Sequence, residues 1–581
     1  MKKILIGLYK KYKWNFIIEI IFLIINVYLI AIPSRIVGNM INLLYSVNID
    51  KTAIVNEIIK LLLICIAYMG IRVTWKNIEV KLEFALTKDL QDILFEKLLK
   101  SKIESIEGIK NGKIMAFFVS DAKRVAKIST RSITTIIRLV FNFIIIGGLM
   151  VQASNVRLTL VALIPVVATI VIIFLARNLV SESFRKSQES FTDLSEFVQE
   201  STDSIRTTKA FVGEDVQIAE FDKKNNEVKV NNLKVIKIHS FMDILISLGF
   251  GIAYSITLLL GSKLVVAGNM EIGDLVAFTG YLGVLGMPIY WFPWILSRFK
   301  RVKVSVERLS ELVNLPEEQI EISDGNVYGN LSGNIEINNL TYNYPGYIER
   351  VLENINISIN QGESLGIIGV VGSGKTTLMN LLLKLYDVER GKIFIDGVDI
   401  NDIPTKKIRD NICYITQDNF LFSASLKENI NLFKDEFKEQ EIEESTKKAM
   451  IYEEISAMQE GIHTIIGEKG IDLSGGQKQR VVLSRAFLNK SNIVIFDDTF
   501  SALDNRTEQH VLENIKELTK NKTCIIVSNR ISDIKDCDKI IVLEQGAIVE
   551  MGNHKSLLEE HGKYYEFFES QAHKTEFAVL E

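Results

Sequence analysis

Residues suited to phosphate chemistry gather in the second half of the 581-residue chain. The run Gly369-Val-Val-Gly372-Ser373-Gly374-Lys375-Thr376-Thr377 lies between the apolar stretch Ser364-Leu-Gly-Ile-Ile368 and Leu378-Met-Asn-Leu-Leu-Leu383. A glycine-rich loop between a buried strand and a helix is the context of a phosphate loop. Its glycines let backbone N–H groups curl round phosphates, and the helix N-terminus adds a favourable field. Lys375 reaches the terminal phosphates, and the Thr376 hydroxyl can ligate magnesium. A second apolar strand, Ile493-Val-Ile-Phe496, delivers Asp497 and Asp498 at its end. That is where an acid beside magnesium belongs.

These residues need a scaffold, and the pattern from about Glu307 onward is that of an α/β domain: short apolar strands, glycine turns and charged helices. Strands are expected over 335–344 and, by strict alternation, over 355–359. Before residue 300 the pattern changes to long apolar runs. Six of them, centred on 15–33, 55–74, 133–153, 158–177, 241–264 and 275–297, are long enough to cross about 30 Å of hydrocarbon. No small-residue cleavage site follows Met1-Lys2-Lys3, so the first run reads as a retained span. Lys and Arg crowd the N-terminus and the connections 75–132 and 178–240, which places those segments and both termini in the cytosol. The two long connections also read as helix, reversing near Gly108 to Gly112 and near Val212 to Asp215.

A net charge of -4 lacks the basic footprint of nucleic-acid binding, so no nucleic-acid partner is expected. Cys65, Cys413, Cys524 and Cys537 show no metal-type spacing and read as packing residues. The sixth span holds Phe278, Tyr281, Tyr290, Trp291, Phe292 and Trp294, which suit either an amphipathic substrate or a membrane-interface belt. Tyr281 is the residue expected to line a cavity. Glu19 and Arg138 lie near the ends of their spans, a position that favours snorkelling to the cytosolic interface over substrate contact.

The phosphate loop, Gln417 after a strand, Leu473-Ser474-Gly475-Gly476-Gln477 before a basic helix, the Asp497-Asp498 strand end and Ser501-Ala-Leu-Asp504 follow one another as in an ABC transporter ATPase domain, which the second half resembles. The first half resembles the membrane domain of ABC exporters of the multidrug and peptide type, with six spans, two long cytosolic loops and Gly273-Asp-Leu-Val-Ala-Phe278 before Pro288. The resemblance implies an α-helical membrane domain over 1–310, whose six transmembrane helices extend into the cytosol. A linker over 311–334 then leads to an α/β P-loop ATPase domain over 335–570 and a tail over 571–581. ATP and Mg2+ are the implied cofactors. Tyr344 falls where an aromatic ring stacks on adenine, with Tyr342 and Tyr347 as alternatives. Gly369, Gly372, Ser373, Gly374, Lys375, Thr376 and Thr377 would hold the phosphates, and Thr376, Gln417 and Asp497 the metal. Ser474, Gly475, Gly476 and Gln477 would bind the ATP of a second subunit, and Asp504 would cross the interface between subunits. Segments 104–115 and 205–216 would be coupling helices, and Gly467-Glu468-Lys469-Gly470 a cross-linking loop.

Two positions depart from the family pattern. Asp498 stands where the family has the Glu that polarises the attacking water, and a carboxylate withdrawn by about an ångström can cost roughly a hundredfold in rate. Asn529 stands where the family has a His on the γ-phosphate, and an amide cannot carry a proton. The chain is therefore expected to bind ATP well and cleave it badly. It resembles the degenerate-site subunit of a heterodimeric bacterial exporter, one whose signature completes the hydrolytic site of a different half-exporter carrying the Glu and His. The implied setting is the inner-membrane bilayer, with an amphipathic drug, lipid or peptide as substrate. A slow homodimer and an ATP-gated channel or regulatory protein are the alternatives.

Overall fold

The structure, a computed structural model, describes the backbone of residues 1–46, 50–318, 331–346, 349–467 and 473–579, and their side chains other than those at 132, 177, 181, 287, 290–301, 505 and 573–579. The chain divides into two compact units: Met1–Lys100 with Ile109–Leu315, and Ser101–Gly108 with Pro316–Glu581.

The first unit is helical. Lys13–Tyr45, Lys51–Leu99, Asn111–Ala153, Val156–Leu175 and Glu214–Val266 are each long and apolar enough to cross a membrane. A sixth helix, Ile272–Val313, has a described apolar stretch over Ile272–Gly286. The side chains of Tyr290, Trp291, Phe292 and Trp294 lie outside the described residues. Lys51–Leu99 and Glu214–Val266 run for 49 and 53 residues. At 1.5 Å per residue that is over about 70 Å, far more than the hydrocarbon needs, so both helices continue well beyond it.

Helices Lys13–Tyr45 and Ile272–Val313 approach most closely where Gly38 meets Gly273, since a Cβ on either would collide with the carbonyl oxygen of the other. The Gly273 amide donates to Asn42 Oδ1 at 2.6 Å, and Arg35 pairs with Asp274 at 2.5 Å. The Gly273-Asp274 pair of the sequence thus serves helix packing. Phe278 and Tyr281 are buried in the same bundle beside Leu282, Leu285 and Ile289, so Tyr281 is a core residue here. Glu19 does not snorkel. It is fully buried, and among the described residues neither of its carboxylate oxygens has a hydrogen-bond partner. Arg138 lays its guanidinium over the Trp75 ring, 4.3 Å from the centroid. Position along a helix sets the depth of a side chain, but the face it occupies is set by packing, and here both residues face neighbouring helices.

Among the described residues the second unit holds ten strands: β1 (Ile335–Tyr342), β2 (Leu352–Ile359), β3 (Ser364–Ile368), β4 (Ile393–Ile395), β5 (Val398–Asp399), β6 (Ile412–Ile415), β7 (Ile493–Asp497), β8 (Thr523–Val527), β9 (Lys539–Glu544) and β10 (Ala547–Gly552). The main sheet has the order β10-β9-β3-β8-β7-β6 and is parallel except at its β10 edge; an antiparallel sheet has the order β2-β1-β4-β5. Parallel strands are buried on both faces, and the main sheet obeys this. Cys413, Val494, Phe496, Cys524 and Ile526 pack into one core, while Ile493, Ile495, Ile525 and Val527 pack into the other. Cys413, Cys524 and Cys537 are buried packing residues, as expected, whereas Cys65 is exposed on its helix. The C-terminal helix Lys563–Val579 runs through residue 571, where a tail was expected to begin.

The short helix Ile103–Glu107 belongs to this second unit. Tyr386 donates its hydroxyl to Glu107 Oε2 at 2.6 Å, Lys102 pairs with Asp387, and Ile103 packs against the core that includes Tyr344.

One carboxylate gathers the segment by which the chain enters the second unit's sheets. Asp396, in the turn between β4 and β5, accepts from the amides of Ser332, Gly333 and Asn334 at 2.6, 3.1 and 2.9 Å and from the Ser332 hydroxyl at 2.7 Å. Its φ of +52° is a conformation that Asn also tolerates. Asp396→Asn should therefore spare the turn while losing charge-assisted bonds, lowering the stability of the second unit by about 2 kcal/mol in urea unfolding. An unshifted midpoint would show that other contacts hold the entry segment.

Candidate nucleotide site

The site forms at the carboxyl ends of the central parallel strands. Ile367 of β3 and Asp497 of β7 both stand opposite Val527 of β8, so the three strands end level. Just beyond, the Asp498 amide donates to the Val527 carbonyl at 2.8 Å, and the Ser528 amide to that of Ile367 at 3.0 Å. The phosphate loop, the two acids and Asn529 thus emerge on one edge. They line a cavity of about 220 Å³ with Val351 and Gln417.

Glycine is required within the loop. Gly374 has a φ of +100°, and a Cβ there would lie 2.7 Å from Leu352 Cδ2 and 2.8 Å from the Val351 carbonyl oxygen. Helix Lys375–Leu382 starts at once, aiming its first amides at the cavity that Ser373, Thr376 and Thr377 also line. Lys375 Nζ donates to the carbonyls of Gly369 and Val370 at 2.7 and 2.9 Å. Burial pushes its ammonium below the usual lysine range, while Asp497 and Asp498 oppose that shift.

Asp497 is buried and accepts from the Tyr414 hydroxyl at 3.0 Å. Burial pushes its carboxyl up, partly offset by hydrogen bonds from Tyr414 and Thr376. Both shifts disfavour the charged forms. A divalent cation beside Asp497 and phosphate beside Lys375 would relieve them together. The hard oxygens of Thr376, Gln417 and Asp497 fit magnesium, which would neutralise phosphate charge. Gln417 Nε2 also donates to Asp498 Oδ2 at 3.2 Å. Asn529 turns a buried Oδ1 inward with no hydrogen-bond partner among the described residues.

Tyr344 places its hydroxyl 3.0 Å from Thr377 Oγ1, and its ring meets those of Tyr342 and Tyr386 edge-on at 5.4 and 5.1 Å. Tyr342 is buried in β1, and Tyr347 lies outside the described residues. Ser474, Gly475, Gly476 and Gln477 do not line the cavity. Instead they begin the helix Gly475–Leu488, where Ser474 and Gln477 form a reciprocal capping box. Gln479, two residues further on, accepts from the Ala502 amide at 3.0 Å and ties this helix to the loop before Asp504. Asp504 caps helix Asn505–Thr519, and the Thr507 amide it accepts holds its carboxyl below the usual range. Of the expected residues, Gly372 to Thr377, Gln417, Asp497, Asp498 and Asn529 line the phosphate cavity, Gly369 and Tyr344 lie outside its lining, and Ser474 and Asp504 cap two separate helices. Of the expected cross-linking loop, Glu468 to Gly470 lie outside the described residues. Sequence reasoning missed Tyr414, which reaches Asp497 across adjacent strands and leaves no local signal.

Residues 16–289 match the family model described as ABC transporter transmembrane region, and residues 352–501 the one described as ABC transporter. The chain is 31% identical over 580 residues to the multidrug resistance-like ATP-binding protein MdlA of Buchnera aphidicola subsp. Schizaphis graminum, covering 98% of this chain and 99% of that protein. It is 32% identical over 478 residues to the alpha-hemolysin translocation ATP-binding protein HlyB of Escherichia coli O6:H1, covering 82% of this chain and 66% of that protein. The fold matches that of a bacterial Atm1-family ABC exporter with ATP bound at a TM-score of 0.79 and 21% identity, over 97% of this chain and 98% of the other.

Two outcomes test the site. Lys375→Ala should weaken ATP binding at least about tenfold, since it deletes a charge-assisted contact to phosphate. Tyr414→Phe removes a donor that favours ionised Asp497, so more Mg2+ should be needed for half-maximal ATP binding. Because protons compete for a carboxyl already pushed up, the increase should be larger at pH 6 than at pH 8 in a magnesium titration.

Proposed function

The chain belongs to the ABC transporters, as an ATP-coupled exporter with its membrane and ATPase domains on one polypeptide, and we propose that it is the degenerate-site half of a heterodimer. The observation behind this reading is that Asp498 and Asn529, the two departures from the family pattern, line the same cavity. One site then carries both deficits. The loop amides, Lys375 and Thr376 hold the triphosphate, Tyr344 the base, and Asp497 and Gln417 the metal. Asp498 stops a methylene short of the position from which a Glu polarises water. Asn529 can donate a hydrogen bond to the γ-phosphate but cannot shuttle a proton.

The intact signature serves the other site. Ser474 to Gly476 open a 14-residue helix, whose N-terminal amides and dipole suit a partner's γ-phosphate. Asp504 stands in the same neighbourhood, ready to cross the subunit interface. Hydrolysis runs mainly where this signature meets the partner's phosphate loop, Glu and His.

Coupling to the membrane domain runs through 104–115 and 205–216. In support, Glu107 and Lys102 are bonded to Tyr386 and Asp387 within the ATPase unit. The second segment presents Ile205–Ala210 followed by exposed Phe211 and Val212. The cargo is an amphipathic drug, lipid or peptide, a range that the names of the multidrug resistance-like and translocation relatives support. Export proceeds across the bacterial inner membrane with both termini cytosolic, as the lysine-rich N-terminus favours.

Purifying the tagged chain from its native membrane tests the assembly. A different half-exporter recovered one-to-one, bearing the Glu and His and an altered signature, is the expected result. Recovery of this chain alone as a dimer would make Asp498 the working residue of a slow homodimer. In the complex, Asp498→Glu combined with Asn529→His should raise ATP turnover at this chain's site by at least about tenfold. Unchanged turnover would mean that the two side chains do not limit it.

A further inference from the structure

The loop after β8 that carries Asn529 separates two cavities. One is the phosphate cavity. The other, of about 830 Å³, lies on the far side of the loop and is walled by Glu508, Lys516, Arg530, Phe568 and Gln571. Asn529 lines both. Ser528 and Ile531 are buried at its two ends, and directional bonds set the path of the backbone between them.

Ser528 is anchored twice. Its amide donates to Ile367 of β3, and its hydroxyl donates to Asp533 Oδ2 at 2.5 Å. Arg530 is anchored too: its amide donates to Ser528 Oγ at 3.0 Å and its guanidinium pairs with buried Glu508 at 2.6 Å. Two backbone groups flanking Arg530, the Asn529 carbonyl and the Ile531 amide, point instead at the C-terminal helix. The Gln571 side chain takes both, donating from Nε2 to the Asn529 carbonyl at 2.8 Å and accepting at Oε1 from the Ile531 amide at 2.9 Å. One carboxamide therefore spans the peptide units on either side of Arg530.

We propose that Gln571 is a positioning residue for ATP recognition: by clamping the backbone at Asn529 and Ile531, it sets the direction in which the Asn529 side chain enters the phosphate cavity. This makes the C-terminal helix part of the nucleotide site, although Gln571 touches no nucleotide. The geometry suits the task because an amide carries the donor and the acceptor side by side, matching a carbonyl and an N–H two residues apart. The proposal rests on the reading of Asn529 as the residue facing the γ-phosphate.

That reading supplies the test, since ATP has the γ-phosphate and ADP lacks it. The full-length complex is photolabelled with 8-azido-ATP, and the label on this chain is competed with ATP or with ADP. Asn529→Ala should lower the ATP-over-ADP preference about tenfold by removing a hydrogen bond to a charged group. Gln571→Leu should lower it comparably, leave ADP competition unchanged, and have no further effect in an Asn529→Ala background. Gln571→Glu keeps the acceptor for Ile531 but sets a carboxylate against the Asn529 carbonyl, so it should reproduce the loss without shortening the side chain. If Asn529→Ala loses the preference while both Gln571 variants keep it, the positioning role is overturned and the reading of Asn529 stands. If none of the variants changes it, the reading of Asn529 falls and takes the positioning role with it. A parallel loss of ATP and ADP competition in both Gln571 variants would reveal a general structural role and overturn the proposal.

Discussion

The level ending of β3, β7 and β8 is the constraint from which the rest of the ATPase unit follows. Parallel pairing puts Ile367, Val527 and Asp497 in register, so the glycine loop, the acids and the loop of Asn529 leave the sheet along one edge. Ligands of open parallel sheets bind outside these carboxyl ends. A one-residue slip in any strand would exchange its two buried faces and turn its terminal side chain away. The two hydrophobic cores, which take alternate residues of the same strands, therefore hold the site in register as well as stabilising the fold. Asp396 fixes where the chain enters this sheet system, and the tyrosine cluster of 342, 344 and 386 links the antiparallel sheet to the helix that follows the loop.

The membrane unit answers a different constraint. Lipid provides little hydrophobic drive for one helix to bind another, so contact depends on small residues and on polar side chains between helices. Gly38 against Gly273, with Asn42, Arg35 and Asp274 around them, is such a contact. Glu19 is one of several residues here with buried polar atoms that lack a hydrogen-bond partner among the described residues, Asn26 and Trp75 being others.

Legibility in the sequence tracked the distance over which each feature is determined. The phosphate loop is local: a strand, three glycines, a lysine and a helix in unbroken succession, and the structure reproduces it. Of the main sheet, β3 and β7 were legible because burial on both faces gives unbroken apolar runs, whereas the β9 and β10 edge was not read. Asp504 and Ser474 could be located but their capping roles went unread, although Ser474 and Gln477 have the spacing of a capping box. Features determined across the fold could not be read. Tyr414 meets Asp497 over 83 positions, and Glu107 meets Tyr386 over 279. Glu19 and Arg138 were misread for a related reason, because which face of a helix is covered depends on neighbours that a linear pattern does not identify.

The two departures in the cavity share a physical property: neither side chain is needed by the scaffold around it. Asp498 has a φ of +48°, a region that Asp occupies more readily than most residues with a side chain. The backbone is thus no worse for a shorter acid, and the carboxylate remains hydrogen-bonded to Gln417. Around position 529, Ser528, Arg530, Glu508 and Asp533 form a bonded frame that does not depend on the side chain between them. Replacing an imidazole by an amide there leaves the frame in place and removes only the capacity to exchange a proton. A bonded frame of this kind around Asp498 and Asn529 is what the proposed role, holding ATP in a fixed pose while a second site turns over, requires of the cavity.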